Sequence, residues 1–141
     1  MDFNTAIIDE FRTNRGDVQT MGFGDRLIVV HSIGARSGKE HQFPVAAMST
    51  EGGWLIAASK AGAPDNPAWF HNLLANPDVD IEVPDATEDD GIGTVAVTAN
   101  RLEGEERDGA YEQFKAASSA FADYETKAAP RVIPVFHLTR R

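Results

Sequence analysis

The chain has 141 residues, no cysteine and a formal net charge of −9 at pH 7. The length suits one domain with its own core, and the missing cysteines exclude disulfides, thiolate metal sites and a thiol nucleophile. The acidic balance argues against general nucleic-acid binding, because that affinity depends on neutralising phosphates.

The first twenty residues carry four acidic side chains and lack the basic-then-apolar order of a secretion signal. No apolar run approaches the roughly 20 residues that span a bilayer. We therefore expect a cytoplasmic protein without a membrane span. Apolar residues recur at helical spacing from Phe3 to Phe11, which predicts an amphipathic helix over 4–13 that stops near Gly16.

Three strands are predicted next. The compact apolar run 27–32 is typical of a buried strand, and the glycine-bounded segment 34–38 is a turn. A second strand follows over 40–49, where Pro44 indicates an edge position or a bulge. The third strand covers 54–59 after a Gly-Gly hairpin turn.

The second half of the chain begins with Asn66 and Pro67, which predict an N-cap and a first helical residue. The remaining elements, in order, are a helix ending at 76–77, a strand over 79–83, an acidic loop over 84–93, a strand over 94–102, a helix from 104 to about 120 and a strand over 132–139. The pattern has about six strands and about three helices, without a regular βαβ repeat. It predicts a mainly β (α+β) domain over residues 1–141, with antiparallel strands in a barrel and peripheral helices.

Several kinds of site are poorly supported. The four histidines, His31, His41, His71 and His137, are scattered without metal-ligand spacing, so no metal site is predicted. The serines lack the Gly-x-Ser-x-Gly elbow of hydrolases. No Gly-x-x-x-x-Gly-Lys-Ser phosphate loop is present.

Two segments together indicate an elongated anionic ligand along one strand edge. The turn 34–39 offers backbone N–H groups, a serine hydroxyl and two cations, Arg36 and Lys39. The segment 57–64 is built of small residues that permit close approach to the backbone, and Lys60 adds a cation before a helix. The alternative is that these cations are solvated surface charges.

The order of motifs resembles the deazaflavin-dependent nitroreductase family. It comprises Gly-x-Arg-Ser-Gly at 34–38, a proline in the next strand, and Ala-Ser-Lys-Ala-Gly-Ala-Pro-x-Asn-Pro-x-Trp-Phe-x-Asn-Leu-x-Ala-Asn-Pro ending at Pro77. Weaker similarity extends from Asn4 to about Leu138. The resemblance implies a split β-barrel related to flavin-binding pyridoxamine-phosphate oxidases. It also implies coenzyme F420, an 8-hydroxy-5-deazaflavin whose tail carries a phosphodiester, a lactyl group and glutamates.

By position, the resemblance also implies roles for individual residues. The implied coenzyme-binding residues are Arg36, Ser37, Gly38, Lys39, His41, Pro44, Ala58, Ser59, Lys60, Ala61, Gly62, Trp69 and Asn72. Phe121 and Tyr124 match an aromatic segment on the substrate side, and Ser59 or Tyr124 is the candidate donor of a hydrogen bond or proton. For Trp69 and Asn72, and for the two aromatic residues, plain packing is the alternative.

The chain also departs from the family pattern. Ala35 stands where relatives carry a further cation, His41 where an arginine is common, and Phe121 where some relatives have a tyrosine. The expected function is hydride transfer from the reduced deazaflavin to a small flat acceptor such as a quinone, an enone or a nitro compound, by a monomer or homodimer. The alternatives are an FMN-binding split-barrel reductase and a non-catalytic deazaflavin-binding or storage protein.

Overall fold

In each strand, apolar side chains that face the barrel interior alternate with side chains that face outward, and this alternation lets the strands close into a barrel. The computed structural model describes residues 2–141, and the barrel order is β1-β2-β3-β6-β5-β4 with antiparallel pairing throughout. The strands are β1 Leu27–Ile33, β2 Glu40–Thr50, β3 Gly53–Ala57, β4 Asp78–Pro84, β5 Ile92–Arg101 and β6 Val135–Arg140. The predicted six-stranded antiparallel barrel is confirmed.

Four α-helices lie outside or at one end of the barrel in the described range. They are α1 Phe3–Thr13, α2 Ala68–Ala75, α3 Gly104–Ala117 and α4 Ala120–Ala128, with short 3-10 turns at Thr20–Gly22 and Lys60–Gly62. None of the helices within residues 2–141 has both the length and the apolar character needed to cross a bilayer.

The barrel interior is closed at one end by α2. Trp69 stacks on Phe43 with ring centroids 4.7 Å apart and planes 12° from parallel. Phe70 and Leu73 of the same helix are buried in the interior cluster, and Phe70 packs 5.8 Å from Phe136. The helix therefore acts as an aromatic plug for that end.

Two further apolar clusters cover the outer surface. Ile7, Ile8 and Phe11 of α1 pack over outward-facing residues of β1. The helices α3 and α4 pack over β3 and the segment leading into β6. The outer face of β2 lies between them, since Ala46 packs against the first cluster and Met48 against the second.

Strand β2 changes its partner halfway along its length. It pairs with β1 from Glu40 to Ala46 and with β3 from Ala47 to Thr50. Pro44, which has no N–H to donate, sits where β2 is paired on one side by β1. This agrees with the edge position predicted from the proline. Because β2 pairs with β3 only from Ala47 onward, the segment after β3 is not paired with β2 and can diverge from the sheet.

Local details differ from the sequence-based expectation, and the third strand ends at Ala57 and not at Ser59. The helix predicted up to residue 120 breaks at Ser118, whose backbone is extended (φ −154°, ψ 129°). The side-chain oxygen of Ser118 accepts a hydrogen bond from the N–H of Ala120, and α4 begins there as a separate helix. Asn66 is not the N-cap of α2, because Pro67 holds that position and the Asn66 amide oxygen accepts a hydrogen bond from Arg131. The last strand begins after Pro134, since proline removes a ladder donor.

Candidate functional site

The turn between β1 and β2 is rigidly built. Gly38 has φ +70° and donates to the carbonyl of Gly34 at 3.0 Å, while the Ser37 hydroxyl accepts from the N–H of Lys39 at 3.2 Å. The N–H of Ala35 donates to the side-chain oxygen of Asn72 at 3.0 Å. Asn72 therefore braces the turn against α2, which is the structural role considered as its alternative.

Two adjoining cavities beside this turn form one groove, here called the turn groove. They measure about 360 and 260 Å³ and share His41, Ala68 and Asn72. The first is lined by Gly34, Ala35, Arg36, Ser37, His41, Ala68, His71 and Asn72, and the second by Ser32, His41, Phe43, Ala68, Trp69 and Asn72. Cationic and hydrogen-bonding groups thus stand at one end of the groove, and an aromatic floor at the other.

The segment between β3 and α2, here called the 58–66 loop, has an unusual backbone. Lys60 and Ala61 have φ of 47° and 53°, and Gly62 follows with φ 81°. Left-handed backbone is uncommon outside glycine, and for two residues in succession it points to a functional or tightly held segment. Ser59, just before them, is right-handed (φ −73°, ψ −36°).

Predicted ligand-binding residues in this loop differ in accessibility. The side chain of Ala58 is fully buried in the barrel interior, so the loop offers its backbone there. The ammonium of Lys60 lies 3.1 Å from Asp65, and that hydrogen bond lowers the pKa of the Asp65 carboxyl. Both side chains are largely exposed, so the pair is readily exchanged for another partner.

A third cavity, here called the aromatic pocket, lies at the other end of β2. It measures about 310 Å³ and is lined by Met21, Gly22, Phe23, Arg26, Ala46, Ala47, Met48, Phe114, Ala117, Ser118, Ala120, Phe121 and Tyr124. Phe121 packs edge-on against Tyr124 at 5.6 Å and 5.1 Å from Phe114. The wall is therefore apolar, with one phenol.

Arg26 supplies the charged group of the aromatic pocket and was missed in the sequence. Its guanidinium donates to the backbone carbonyls of Phe23 at 3.2 Å and Gly22 at 2.9 Å. These contacts hold the side chain at the pocket without neutralising its charge. No short motif marks Arg26, because its position depends on the turn 20–22 folding back onto β2.

The residues that border the two sites lie in a definite order along β2. His41 lines the turn groove, Pro44 follows, and Ala46 and Met48 reach the aromatic pocket. Tyr124 lines that pocket, whereas Ser59 lines neither it nor the turn groove. Tyr124 is thus the candidate donor that borders the aromatic pocket.

A larger cavity lies elsewhere. It measures about 710 Å³, occupies the barrel mouth opposite α2, and is lined by Trp54, Arg140 and neighbouring residues, none of which was predicted to bind ligand. It shares Arg26, Ala47, Met48 and Ala117 with the aromatic pocket. We place the functional site by its chemistry along β2 and not by cavity size.

A buried ion cluster joins α1 to β1 and β4, and Arg12 also donates to the side-chain oxygen of Gln42 on β2 at 2.8 Å. Glu82, 7% exposed, accepts from Arg12 at 2.9 and 2.6 Å and contacts His31 Nε2 at 2.6 Å. Burial raises the pKa of the Glu82 carboxyl, but hydrogen bonds from Arg12 and His31 outweigh it, so the net shift is downward. Within residues 2–141, three or more His, Asp or Glu side chains nowhere converge as metal ligands.

Known proteins share both sequence and fold with this chain. A family model described as F420H(2)-dependent quinone reductase matches residues 5–140. The F420H(2)-dependent quinone reductase Rv1261c of Mycobacterium tuberculosis H37Rv is 33% identical over 117 residues, which are 81% of this chain and 73% of that protein. A solved F420-H2 dependent reductase, FDR-A, is 33% identical with a TM-score of 0.68, covering 80% of this chain and 93% of that one.

A more distant structure supports the fold alone. A pyridoxamine 5'-phosphate oxidase from Listeria innocua has a TM-score of 0.55 at 10% identity, covering 82% of this chain and 84% of that one. The predicted likeness of fold to such barrels is therefore confirmed. The family match likewise confirms the predicted oxidoreductase class and the predicted cofactor, coenzyme F420. The chain belongs to the F420H(2)-dependent quinone reductase family.

Proposed function

We propose that this protein uses reduced coenzyme F420 to reduce a small, flat quinone. One observation carries the proposal: the cationic turn groove and the aromatic pocket both border β2, one near the start of the strand and the other towards its end. From His41 to Met48 a strand advances about 23 Å. An elongated coenzyme with a ring at one end and anionic groups at the other suits that arrangement.

The tail end of the site has the chemistry that anions require. Arg36 and the hydroxyl of Ser37 line the turn groove, Lys39 follows in the same exposed turn, and Lys60 is an exposed cation of the 58–66 loop. Cations and oriented backbone N–H groups bind phosphate and carboxylate oxygens by charge-assisted hydrogen bonds. In a chain of net charge −9, such a grouping of cations counts in favour of an anionic ligand.

The ring end is bordered by small residues. Pro44 on β2 borders the ring in this arrangement, and Ser59 and Ala61 in the 58–66 loop border the linker between ring and tail, where small side chains permit close approach to the backbone. When bound there, the reduced deazaflavin supplies the hydride. The protein's own contribution is to hold donor and acceptor carbons in reactive geometry and to keep water away from them.

The aromatic pocket suits the acceptor. A volume of about 310 Å³ is at the lower end for ligand sites, and the lining combines an apolar wall with few polar groups. A quinone must gain one hydride and one proton to become the hydroquinone. The Tyr124 hydroxyl can donate a hydrogen bond to the carbonyl oxygen on which negative charge develops, and the Arg26 guanidinium can stabilise that charge.

Two alternatives make different use of these features. FMN has a short phosphate tail and would leave part of the cationic groove without a partner. A storage protein would keep the ring face closed, whereas the aromatic pocket beside Phe121 and Tyr124 opens to solvent. Both observations favour a deazaflavin-dependent reductase.

The test is a side-by-side binding and turnover experiment. Purified protein is titrated with coenzyme F420 and with FMN, and oxidation of the reduced coenzyme is then followed with 2-methyl-1,4-naphthoquinone as acceptor. We expect tighter binding of coenzyme F420 than of FMN, and quinone-dependent oxidation. Binding without turnover across several quinones, enones and nitro compounds would support the storage alternative instead.

A further inference from the structure

Arg131, in the segment between α4 and β6, uses all five of its side-chain N–H groups in hydrogen bonds to the 58–66 loop. It donates to the Ala63 carbonyl from Nε (3.0 Å) and Nη2 (2.7 Å), to the Ala58 carbonyl and the Asn66 side chain from Nη1 (3.1 and 2.7 Å), and to the Ser59 carbonyl from Nη2 (2.9 Å). A guanidinium has five N–H groups, and each has a partner here. All acceptors are oxygens of uncharged groups, and all of them belong to the 58–66 loop.

These contacts explain how the loop keeps its left-handed backbone. Carbonyls at the start and towards the end of the loop turn toward Arg131, and Lys60 and Ala61 lie between these fixed points with φ of 47° and 53°. Conformations this rare persist where the surroundings over-determine them. Arg131 supplies that constraint from one side.

The helix α4 supplies it from the other side. A Cβ on Gly62 would lie 2.9 Å from the Cβ of Lys127 and 3.1 Å from the Cα of Tyr124, so the loop is already in close contact with α4. The Lys127 ammonium also reaches the Ala61 carbonyl at 3.4 Å. The loop is thus held between Arg131 and the helix that carries the aromatic wall.

With its carbonyls engaged, the loop presents its N–H groups elsewhere. Ser59 is right-handed and Lys60 left-handed, the succession that turns consecutive N–H groups into one concavity. Within the described part of the chain, the N–H groups of Ser59, Lys60 and Ala61 donate to no protein acceptor. Three free donors beside a lysine form a receptor for a phosphate or carboxylate group.

We propose that Arg131 is a positioning residue for the coenzyme. By binding the loop carbonyls, it presents the N–H groups of Ser59, Lys60 and Ala61 to an anionic group of the coenzyme tail. This inference rests on the proposed function, since it takes coenzyme F420 as the ligand. The inference concerns the coenzyme tail and not the ring. A loss of affinity for the tail-bearing ligand alone can therefore be distinguished from a general folding defect.

The test compares two ligands on matched variants. Wild type, Arg131→Gln and Arg131→Lys are titrated with coenzyme F420 and with the tail-less 8-hydroxy-5-deazaflavin, and Tm is measured for each. Arg107→Gln is the control: Arg107 donates to the Ile133 carbonyl at 3.0 Å and lies over the Tyr111 ring at 4.7 Å, so it supports the neighbouring segment without touching the 58–66 loop.

We expect Arg131→Gln to weaken coenzyme F420 binding by about 10- to 100-fold, the loss of charge-assisted hydrogen bonds, with less than about 2-fold change for the tail-less compound. Arg131→Lys should recover part of the loss, because an ammonium keeps the charge and three donors but not the planar fork. Arg107→Gln should lower Tm and leave both affinities unchanged. Equal losses for both ligands, or none, would overturn the inference.

A measurement on the wild type guards against a variant that does not fold. The backbone amide resonances of residues 59–61 are followed by NMR during titration with coenzyme F420, and we expect large shifts that the tail-less compound does not produce. Unshifted amides at saturation contradict the inference alone. Failure of the wild type to bind coenzyme F420 contradicts the proposed function as well.

Discussion

The phenol of Tyr111 donates a 2.7 Å hydrogen bond to the backbone carbonyl of Phe121, which joins α3 to the first turn of α4. Tyr111 is 1% exposed and its ring packs edge-on against that of Phe121 at 6.3 Å. The orientation of the aromatic wall therefore depends on a side chain that does not line the aromatic pocket.

Removing this hydroxyl should loosen the wall. We expect Tyr111→Phe to lower the free energy of unfolding by about 1 kcal/mol and to raise KM for the acceptor more than the Kd for the coenzyme. Urea denaturation and steady-state kinetics measure the two effects. Unchanged KM with lowered stability would show that α4 keeps its position without the bond.

The same tyrosine predicts an alkaline weakness. Burial, followed by the charge of Glu125, raises the pKa of Tyr111 to about 12. Because the folded pKa lies above the unfolded value near 10, the stabilisation is complete below pH 10 and is lost as pH rises toward 12. The urea midpoint should fall less between pH 9 and pH 11 in Tyr111→Phe than in the wild type. Tyr124→Phe, which removes the other tyrosine, should show the same fall as the wild type.

The acceptor side can be tested at Tyr124. If its hydroxyl stabilises the developing charge on the quinone, Tyr124→Phe lowers kcat and kcat/KM together and leaves the coenzyme Kd unchanged. Phe121→Ala should instead cost stability, about 3–5 kcal/mol if its site cannot collapse. Wild-type rates in Tyr124→Phe with several quinones would make this residue part of the scaffold and assign the proton to Ser59 or water.

The cations of the tail site should act through salt-sensitive contacts. Lys60→Ala and Arg36→Ala are expected to weaken coenzyme binding, most strongly at low ionic strength. Asp65→Asn should do the opposite by less than about 5-fold, because it frees Lys60 from an exposed and therefore weak ion pair. Arg15→Ala, a cation that contacts the Asp89 carbonyl in the acidic loop, is the matched control and should leave affinity unaltered.

Glu82 predicts acid sensitivity. Its folded pKa is depressed, so its stabilisation is present above the unfolded value near 4.3 and is lost as pH falls through the folded pKa. Glu82→Gln should cost about 1.5–3 kcal/mol at pH 7 and flatten the decline of stability below pH 4.5. Glu51→Gln, in an exposed turn, should retain the wild-type pH profile of the urea midpoint.

The barrel was predictable because strand alternation is a local signal. The run 79–83, for example, places Val79 and Ile81 inside and Glu82 outside, as its period of two requires. The break before α4 was missed because 104–128 has no proline, and the extended conformation of Ser118 depends on packing.

The candidate site divides in the same way. The turn 34–39 and the 58–66 loop carry contiguous motifs, so their cations and glycines were found from the sequence. Arg131 and Arg26 were not, because their roles arise from contacts made in three dimensions. Arg131 meets its partners 65 to 73 residues away, and Arg26 reaches the pocket through the turn before β1.

Because every side-chain N–H group of Arg131 already has an acceptor, the 58–66 loop tolerates changes in length poorly. An inserted or deleted residue between Ala58 and Asn66 would shift at least one acceptor away from a donor that has no spare partner. The acidic loop after Pro84 accepts hydrogen bonds from Arg15 through backbone carbonyls at its exposed tip, at 2.8 and 3.5 Å, and none of its side chains fills a comparable set of donors. We therefore expect insertions and deletions among relatives to accumulate in the acidic loop, while the span from 58 to 66 keeps a constant number of residues.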